Sequence, residues 1–472
     1  MPLQSERERV AHLLRRFGLG ASEAEVDFYG ADGVSGAIDR LLDYEDADEG
    51  FPVELSVFAN PNNGVVPIFG VQSWWYLRLM ATRHPLEQKL TLFWHDHFAT
   101  SAAKVTQPNA MYRHIETLRE NATGRFLTLL TEVSKDPAML YWLDNNQNVK
   151  GTPNENFARE VMELFTLGVD NLYTEHDVLE SARAFTGWTF GVRRGARVIP
   201  TNLPVRNSRF VNIADRHDGG MKSVFGETGA WTGDDVLEIL CDLDETAEYI
   251  TLKMWEWFAY AGPDEALIKR LAKSWQRSGL DVRELVRSIV KSEEFYSDQA
   301  VRSHIKNPVE FCISTVRALG LGRVVVDRMM QVEAVQARRV AGISRLISLR
   351  TKSMGMELLF PPDVDGWVSG TEWITTGSMI ERIKFADVLF GRQARATMAL
   401  MGDRIPAEGA SPTAAVDRLL SVFDVGLGES KVQRLYDAAV QFSGGTITAR
   451  NLQPTLNSIT RLIFSTPEFQ FS

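Results

Sequence analysis

Asn307-Pro-Val-Glu-Phe-Cys-Ile-Ser-Thr-Val-Arg-Ala-Leu319, followed by Gly320, decides the fold class. Asn307 can cap a helix by offering its side-chain oxygen to a free backbone N–H. Pro308 suits the first helical position, where no N–H is needed. Val309, Cys312, Ile313, Val316 and Leu319 then recur at helical spacing and make one apolar stripe. Gly320 and Gly322 follow as stop signals. Elsewhere, Ser22 is placed as an N-cap, Pro85 suits a first turn, and Thr174 and Asp177 have capping-box spacing. Segments 71–98, 104–134, 154–188 and 234 to about 319 read as helix, with Gly168 as the C-cap of the helix that begins near Asn154. Residues 43–66, acidic and then rich in Pro, Asn and Gly, read as a long loop. Residues 190–230 break the periodicity with Gly, Pro, Asn and short β-branched pieces. The expected fold is all-α and multi-layered, with a short irregular, hairpin-like segment around 190–230.

Five stretches follow from this pattern. Residues 1–66 are an N-terminal helical segment and acidic loop, and 67–190 a core helical region with the His and Glu motifs. Residues 191–232 are a basic irregular loop, 233–400 a second helical region and 401–472 the C-terminal helices. At 472 residues the chain exceeds one ordinary core, and 25 Phe and 11 Trp supply ample buried aromatic area. A formal net charge of −10 argues against a general nucleic-acid coat, which needs clustered positive charge. Cys241 and Cys312 are too few for a disulfide framework or a four-thiolate zinc site, and Cys312 falls on the apolar stripe as a small core residue. No stretch approaches the ~20 apolar residues of a membrane helix. The charged start, Met1-Pro-Leu-Gln-Ser-Glu-Arg-Glu-Arg, lacks the apolar core of a secretory signal, so the expected location is the cytoplasm.

Phe93-Trp-His-Asp-His-Phe98 is the first motif with chemistry. His-x-His can chelate a metal from a strand, but on a helix the two residues lie ~200° apart. Leu86, Leu90, Phe93 and Trp94 define an apolar face that includes His97, whereas His95 projects with Gln88 and Thr91. His97 alone reads more naturally as a hydrogen-bonded core histidine. The second motif runs from Pro153 to Gly168. Phe157, Val161, Leu164 and Phe165 form its core stripe, and Asn156, Glu160 and Glu163 fall in a ~60° sector beside it. Glu155, Arg159 and Thr166 are expected opposite. Two carboxylates and an amide at a core margin suit a hard metal or a general base, and equally a structural polar network. The following helix, with Arg183 within reach of Glu180, reads as support.

Arg193 to Lys222 holds seven basic residues (Arg193, Arg194, Arg197, Arg206, Arg209, Arg216 and Lys222) against Asp215 and Asp218. That local reversal of charge suits an anionic ligand or an acidic partner surface, or a solvated loop. Within it His217 stands beside Asp218 on a Gly-rich turn. In Leu359-Phe-Pro-Pro-Asp-Val-Asp-Gly-Trp367, the prolines fix an extended turn that Trp367 can clamp to the core, and Asp363 could line a cleft. There is no Walker loop, Rossmann fingerprint, Gly-x-Ser-x-Gly elbow or His-Glu-x-x-His.

These segments together resemble the bacterial family called domain of unknown function 1800. The likeness rests on Leu13-Leu-Arg-Arg-Phe-Gly18, Trp94-His-Asp-His-Phe98, Asn154-Glu-Asn-Phe-Ala-Arg-Glu160, Ala182-Arg-Ala-Phe-Thr-Gly-Trp188 and His217-Asp-Gly-Gly-Met-Lys222. It continues through Lys306-Asn-Pro-Val-Glu-Phe311, Pro361-Pro-Asp-Val-Asp-Gly-Trp367 and Thr466-Pro-Glu-Phe-Gln470. Asp96 departs from it, since that family more often carries Asn there. The resemblance implies a helical protein encoded near an exported partner family, so co-export with such a partner is an alternative to the cytoplasm. It carries no reaction with it.

Two functions are therefore weighed. One is an enzyme for hydrolysis or group transfer, dependent on a divalent metal or an anion, with Glu160, Glu163, His97, His217 and Asp218 as catalytic candidates. Asn156, Arg206, Arg209 and Lys222 would bind the ligand, an anionic small molecule, and His95, His97, Glu160 and Glu163 would hold the metal. Asn156, Glu160 and Glu163 are expected to share a cleft with at least one of His95, His97 and His217. The other is a non-catalytic binding or assembly protein that docks a partner through the basic loop.

Overall fold

The computed structural model describes residues 3, 5–195 and 197–472. Among the described residues helices dominate, and strands are confined to five short segments between Trp188 and Gly229. Asn307 Oδ1 accepts the Glu310 N–H at 2.9 Å, and a Glu310 carboxylate oxygen accepts the Asn307 N–H at 2.9 Å. That reciprocal cap starts the Pro308–Ala318 helix, and Gly320, at φ 65°, ends the turn after it. Gly322 is not a stop. It lies inside the next helix, Leu321–Met330, where a side chain would run into the Met80 carbonyl. Ser22 and Thr174 cap their helices as expected, each with a capping box.

The Ile68–Ala81 helix is buried along nearly its whole length, and the Pro308–Ala318, Leu321–Met330 and Gly342–Ser353 helices pack on it. Burial on all sides explains why it carries apolar residues on every face. After a break at Thr82–His84 the Pro85–His97 helix begins with its proline at the first position and is again buried throughout, save Asp96. The buried apolar residues form one connected cluster from Val10 to Phe469. Both cysteines are buried and free. Among the described residues no helix is long and apolar enough to cross a membrane.

The irregular segment is more ordered than a single hairpin. Strand β1 (Trp188–Arg194) lies between β2 (Arg197–Pro200) and β3 (Ser208–Asn212), antiparallel to both, with Arg194 opposite Arg197 and Trp188 opposite Asn212. Strands β4 (Lys222–Val224) and β5 (Glu227–Gly229) form a second small sheet. The inner end of β1 is buried through Trp188 and Phe190, and its outer end exposes Arg193 and Arg194.

Candidate functional site

Phe98 ends the Pro85–His97 helix, and its last three residues are each committed differently. His95 Nε2 accepts the Leu359 N–H at 3.1 Å, and its ring lies against Trp75 and Trp367, both 5.2 Å away between centroids. His97 Nε2–H donates to Phe165 O at 3.2 Å on the other side of the helix. Burial is the main cause that holds both imidazoles well below their ordinary pKa, so both are neutral. Asp96, between them, accepts the Trp367 N–H at 2.8 Å. The Leu359–Trp367 segment is thus fastened to the helix end at both of its ends. Burial lifts Asp96 to about 6, against the lowering effects of the Trp367 N–H and the Lys253 charge.

The second motif forms the Asn156–Glu163 helix, with Phe157, Ala158, Val161 and Met162 buried. The helix ends at Glu163 rather than at Gly168. Thr166 Oγ1 donates to Val161 O at 2.7 Å and the Leu167 N–H reaches Met162 O at 2.8 Å, which opens the last turn. Arg159 does not lie opposite the acids: it pairs with Glu175 at 2.7 Å and Glu163 at 3.5 Å, because a four-residue step turns the helix by only ~40°. Asn156 is exposed, and its Nδ2 donates to Leu143 O at 3.1 Å. Glu160 is half-buried, and its carboxylate has no hydrogen bond or ion pair among the described residues. Burial, then the charges of Glu163 and Asp365, push it up to about 7 against the pull of Arg159.

Asp365 belongs to the turn fastened over Asp96. Asp363 Oδ1 accepts the Asp365 N–H at 3.0 Å, so Asp363 shapes the turn. A fourth element completes the cluster, the Asp244–Phe258 helix, with Tyr249 and Lys253 one turn apart. Tyr249 O–H donates to Leu164 O at 3.2 Å, its ring rests on Gly168, and it lies 6.5 Å from the His97 ring. Burial and Asp365 push the phenol up to about 12. The Lys253 ammonium stands 5.5 Å over the Tyr249 ring and has no hydrogen bond or ion pair among the described residues. Burial lowers its pKa, while Asp96 and Asp365 raise it. Asp96, Glu160, Asp365 and Lys253 therefore lie within electrostatic reach of one another along a chain with Lys253 and Asp365 at its middle.

Three of these four carry no expected role from the sequence. Asp96 stood out only as a departure from the family pattern, and Asp365 was passed over for Asp363. Lys253 left one usable signal: it interrupts an inward stripe at the spacing Thr246, Ile250, Lys253, Trp257. Of the expected residues, His97 touches the chain that follows Glu163 through Phe165, whereas His95 turns to Leu359. Among the described residues no three or more His, Cys, Asp and Glu side chains are grouped to hold a metal ion. The expected quartet His95, His97, Glu160 and Glu163 is not among such groups, since the helical ~200° between the two histidines sends His95 to Leu359 and His97 to Phe165.

His217 and Asp218 are held by partners of their own. His217 Nδ1–H donates to Thr186 O at 3.0 Å. Asp218 accepts from Arg183 Nε at 2.8 Å and from the Gly220 N–H at 2.9 Å, and Arg183 also pairs with Glu180 at 2.8 Å. The Arg183 bond is the main cause that holds Asp218 down to about 2. Lys222 is buried and donates to Gly220 O at 3.0 Å. Arg206 and Arg209 are exposed, as are Arg193, Arg194 and Arg197, and none of the five has an ion pair among the described residues. A cavity of about 990 Å³ is lined by Glu23, Arg40, Tyr44, Arg83, Arg317 and Arg404 among others, and by none of Asp96, Glu160, Lys253 and Asp365. Several of its charges are paired, Arg317 with Glu25 and Arg418 with Glu23. Unpaired titratable groups, not volume, single out the Glu160 and Lys253 cluster.

Comparison with curated proteins and with solved structures yields no match. A family model, described as "Protein of unknown function (DUF1800)", matches residues 12–471. With essentially the whole chain inside that match, the protein belongs to the DUF1800 family.

Proposed function

We propose that the protein is an enzyme of general acid–base chemistry, hydrolysis or group transfer, with Glu160 as the proton carrier and Lys253 as the charge that receives an anionic substrate group. The observation that carries this reading is the Glu160 carboxyl, half-buried, without a partner, and pushed up to about 7. A carboxyl titrating near neutrality can both take and give a proton at working pH. Lys253 adds an uncommitted ammonium that can stabilise developing negative charge. The chemistry rests on these protein groups rather than on a metal held by His95 and His97. A panel of activated esters, amides, phosphate esters and glycosides tests it. Glu160→Gln should lower any turnover by roughly 10²–10⁴-fold with the circular-dichroism spectrum unchanged. Turnover indifferent to Glu160→Gln, or absent across the panel, counts against the reading.

A second reading has its own observation. Arg193, Arg194, Arg197, Arg206 and Arg209 form an exposed basic end on β1–β3 and its loop, with Ile199, Leu203 and Val205 exposed among them. Such a surface suits an acidic partner protein. Replacing Arg193, Arg206 and Arg209 by Ala should leave stability within about 0.5 kcal/mol and weaken binding of a polyglutamate peptide in a salt-sensitive manner. Equal peptide binding by the triple variant removes this reading.

A further inference from the structure

Two turns before Asp96, Lys89 enters a second concentration of buried charge. A small cavity of about 40 Å³ is lined by four cationic side chains, Arg15, Lys89, Arg302 and Lys306, and by two carboxylates, Glu310 and Asp424. Both carboxylates are already shared. Asp424 accepts from Arg15 at 2.5 Å and from Arg302 at 3.2 Å. Glu310 takes Lys89 and also His304, the latter at 2.9 Å. Lys306 is left without a carboxylate: its Nζ donates to Phe469 O at 3.1 Å and lies 4.4 Å from the centre of the Phe469 ring. Among the described residues Arg15 Nε has no hydrogen-bond partner, although the residue is nine-tenths buried. Beside it Arg16, also buried, donates to Phe258 O at 2.7 Å, to Ala259 O at 2.6 Å and, at longer range, to Ser472 O at 3.3 Å and Ser472 Oγ at 3.4 Å.

Charge removed from water is tolerated when it is matched, and here four cationic side chains share the cavity wall with two acidic side chains and Ser472. The volume is about three times the ~10–15 Å³ that one water needs, enough for a small ion. We propose that this cavity binds one small inorganic anion, of chloride to phosphate size, held by Arg15 Nε, Arg302 and Lys306. Burial, then the Arg302 charge, holds the Lys306 amine down to about 7. A bound anion draws that amine back up, so binding above pH 7 takes up a proton.

The test uses the full chain at pH 8 in a buffer whose only anion is gluconate, too large for the cavity. Sodium chloride and sodium phosphate are compared with sodium gluconate at equal ionic strength. The expected result is a saturable rise in Tm of about 2 °C or more over gluconate for chloride or phosphate. Calorimetry in buffers of different ionisation enthalpy should register proton uptake. Lys306→Met should abolish the specific rise. Arg302→Gln, at a partly exposed residue, should raise the apparent dissociation constant at least tenfold and keeps the test open if Lys306→Met does not fold. A response to chloride alone identifies a halide site, and one to phosphate alone an oxyanion site. Equal shifts with all three salts, or a specific shift that survives both substitutions, overturns the proposal.

Discussion

Trp367 donates its backbone N–H to Asp96 Oδ1 at 2.8 Å, and this bond ties the Pro361–Trp367 turn to the end of the Pro85–His97 helix. Two residues back from that donor is Asp365, a charge that raises Glu160. The same Asp96 helps keep Lys253 protonated. One hydrogen bond therefore joins two segments some 270 positions apart and sets the spacing of the acidic groups in the cluster.

Asn at position 96 would keep the acceptor and remove the charge. Asp96 sits at about 6 against an ordinary 3.8, so its ionisation penalises the folded state. The sign follows: stability is lost as pH rises from about 4 through 6, and is flat above. Asp96→Asn should raise unfolding free energy by about 1–3 kcal/mol at pH 8 and by much less at pH 4, read from urea midpoints at the two values. A loss at pH 8 would mean that Lys253 already compensates the carboxylate in full.

Gly366 has φ 91°, and a Cβ there would overlap the Asp96 carboxylate. Gly366→Ala should cost about 2 kcal/mol or more, from the left-handed backbone and from the broken Asp96 contact together. Gly342→Ala is the matched control, since it opens the Gly342–Ser353 helix with no atom close by and should gain a few tenths of a kcal/mol. Equal urea midpoints for the two variants would detach the turn from Asp96.

The parts of this fold that the sequence made legible are those held by neighbours. Asn307 with Glu310 and Thr174 with Asp177 are three residues apart, and their caps can be read as spelled. Glu160 was legible as an acid on the margin of a core stripe for the same reason. Asp365 was not, because nothing within a few positions of it says that the turn folds back over Asp96 to approach Glu160 from more than 200 residues away. His95 and His97 invited a metal because their backbone partners, Leu359 and Phe165, are equally remote. Arg159 was misplaced for a simpler reason, a wheel angle that its four-residue step to Glu163 contradicts.

Asp218 offers a contrast between structural and catalytic use. Arg183 holds it at about 2, below its ordinary 3.8, so it adds stability above pH 4 that is lost as pH falls toward 2. Asp218→Ala should cost about 1–2 kcal/mol at pH 7, with the deficit shrinking below pH 4. On any substrate that Glu160 turns over, the same variant should leave kcat within about threefold. A kcat loss comparable with that of Glu160→Gln would move the site to the His217 loop.

The coupling between Glu160 and Asp365 bears the functional reading and can be measured without a substrate. Glu160 stands at about 7 against an ordinary 4.5, so the folded state favours its protonated form and stability declines as pH rises from 4.5 through 7. Glu160→Gln removes that decline. The variant should exceed the parent by about 1–2 kcal/mol at pH 8, the figure reduced for partial exposure, and converge with it near pH 4. Plotted against pH, the difference between the two unfolding free energies has its upper bend at the Glu160 pKa. Asp365→Asn, in an otherwise parental chain and paired with its own Glu160→Gln double variant, should move that bend to lower pH because one of the two neighbouring negative charges is gone. An active-site residue often costs stability in this manner, since a carboxyl tuned for proton transfer is a poor structural group. A bend near 4.5 in the parent would leave Glu160 an ordinary surface acid, and a bend near 7 that Asp365→Asn fails to move would assign the shift to burial and Glu163 without Asp365.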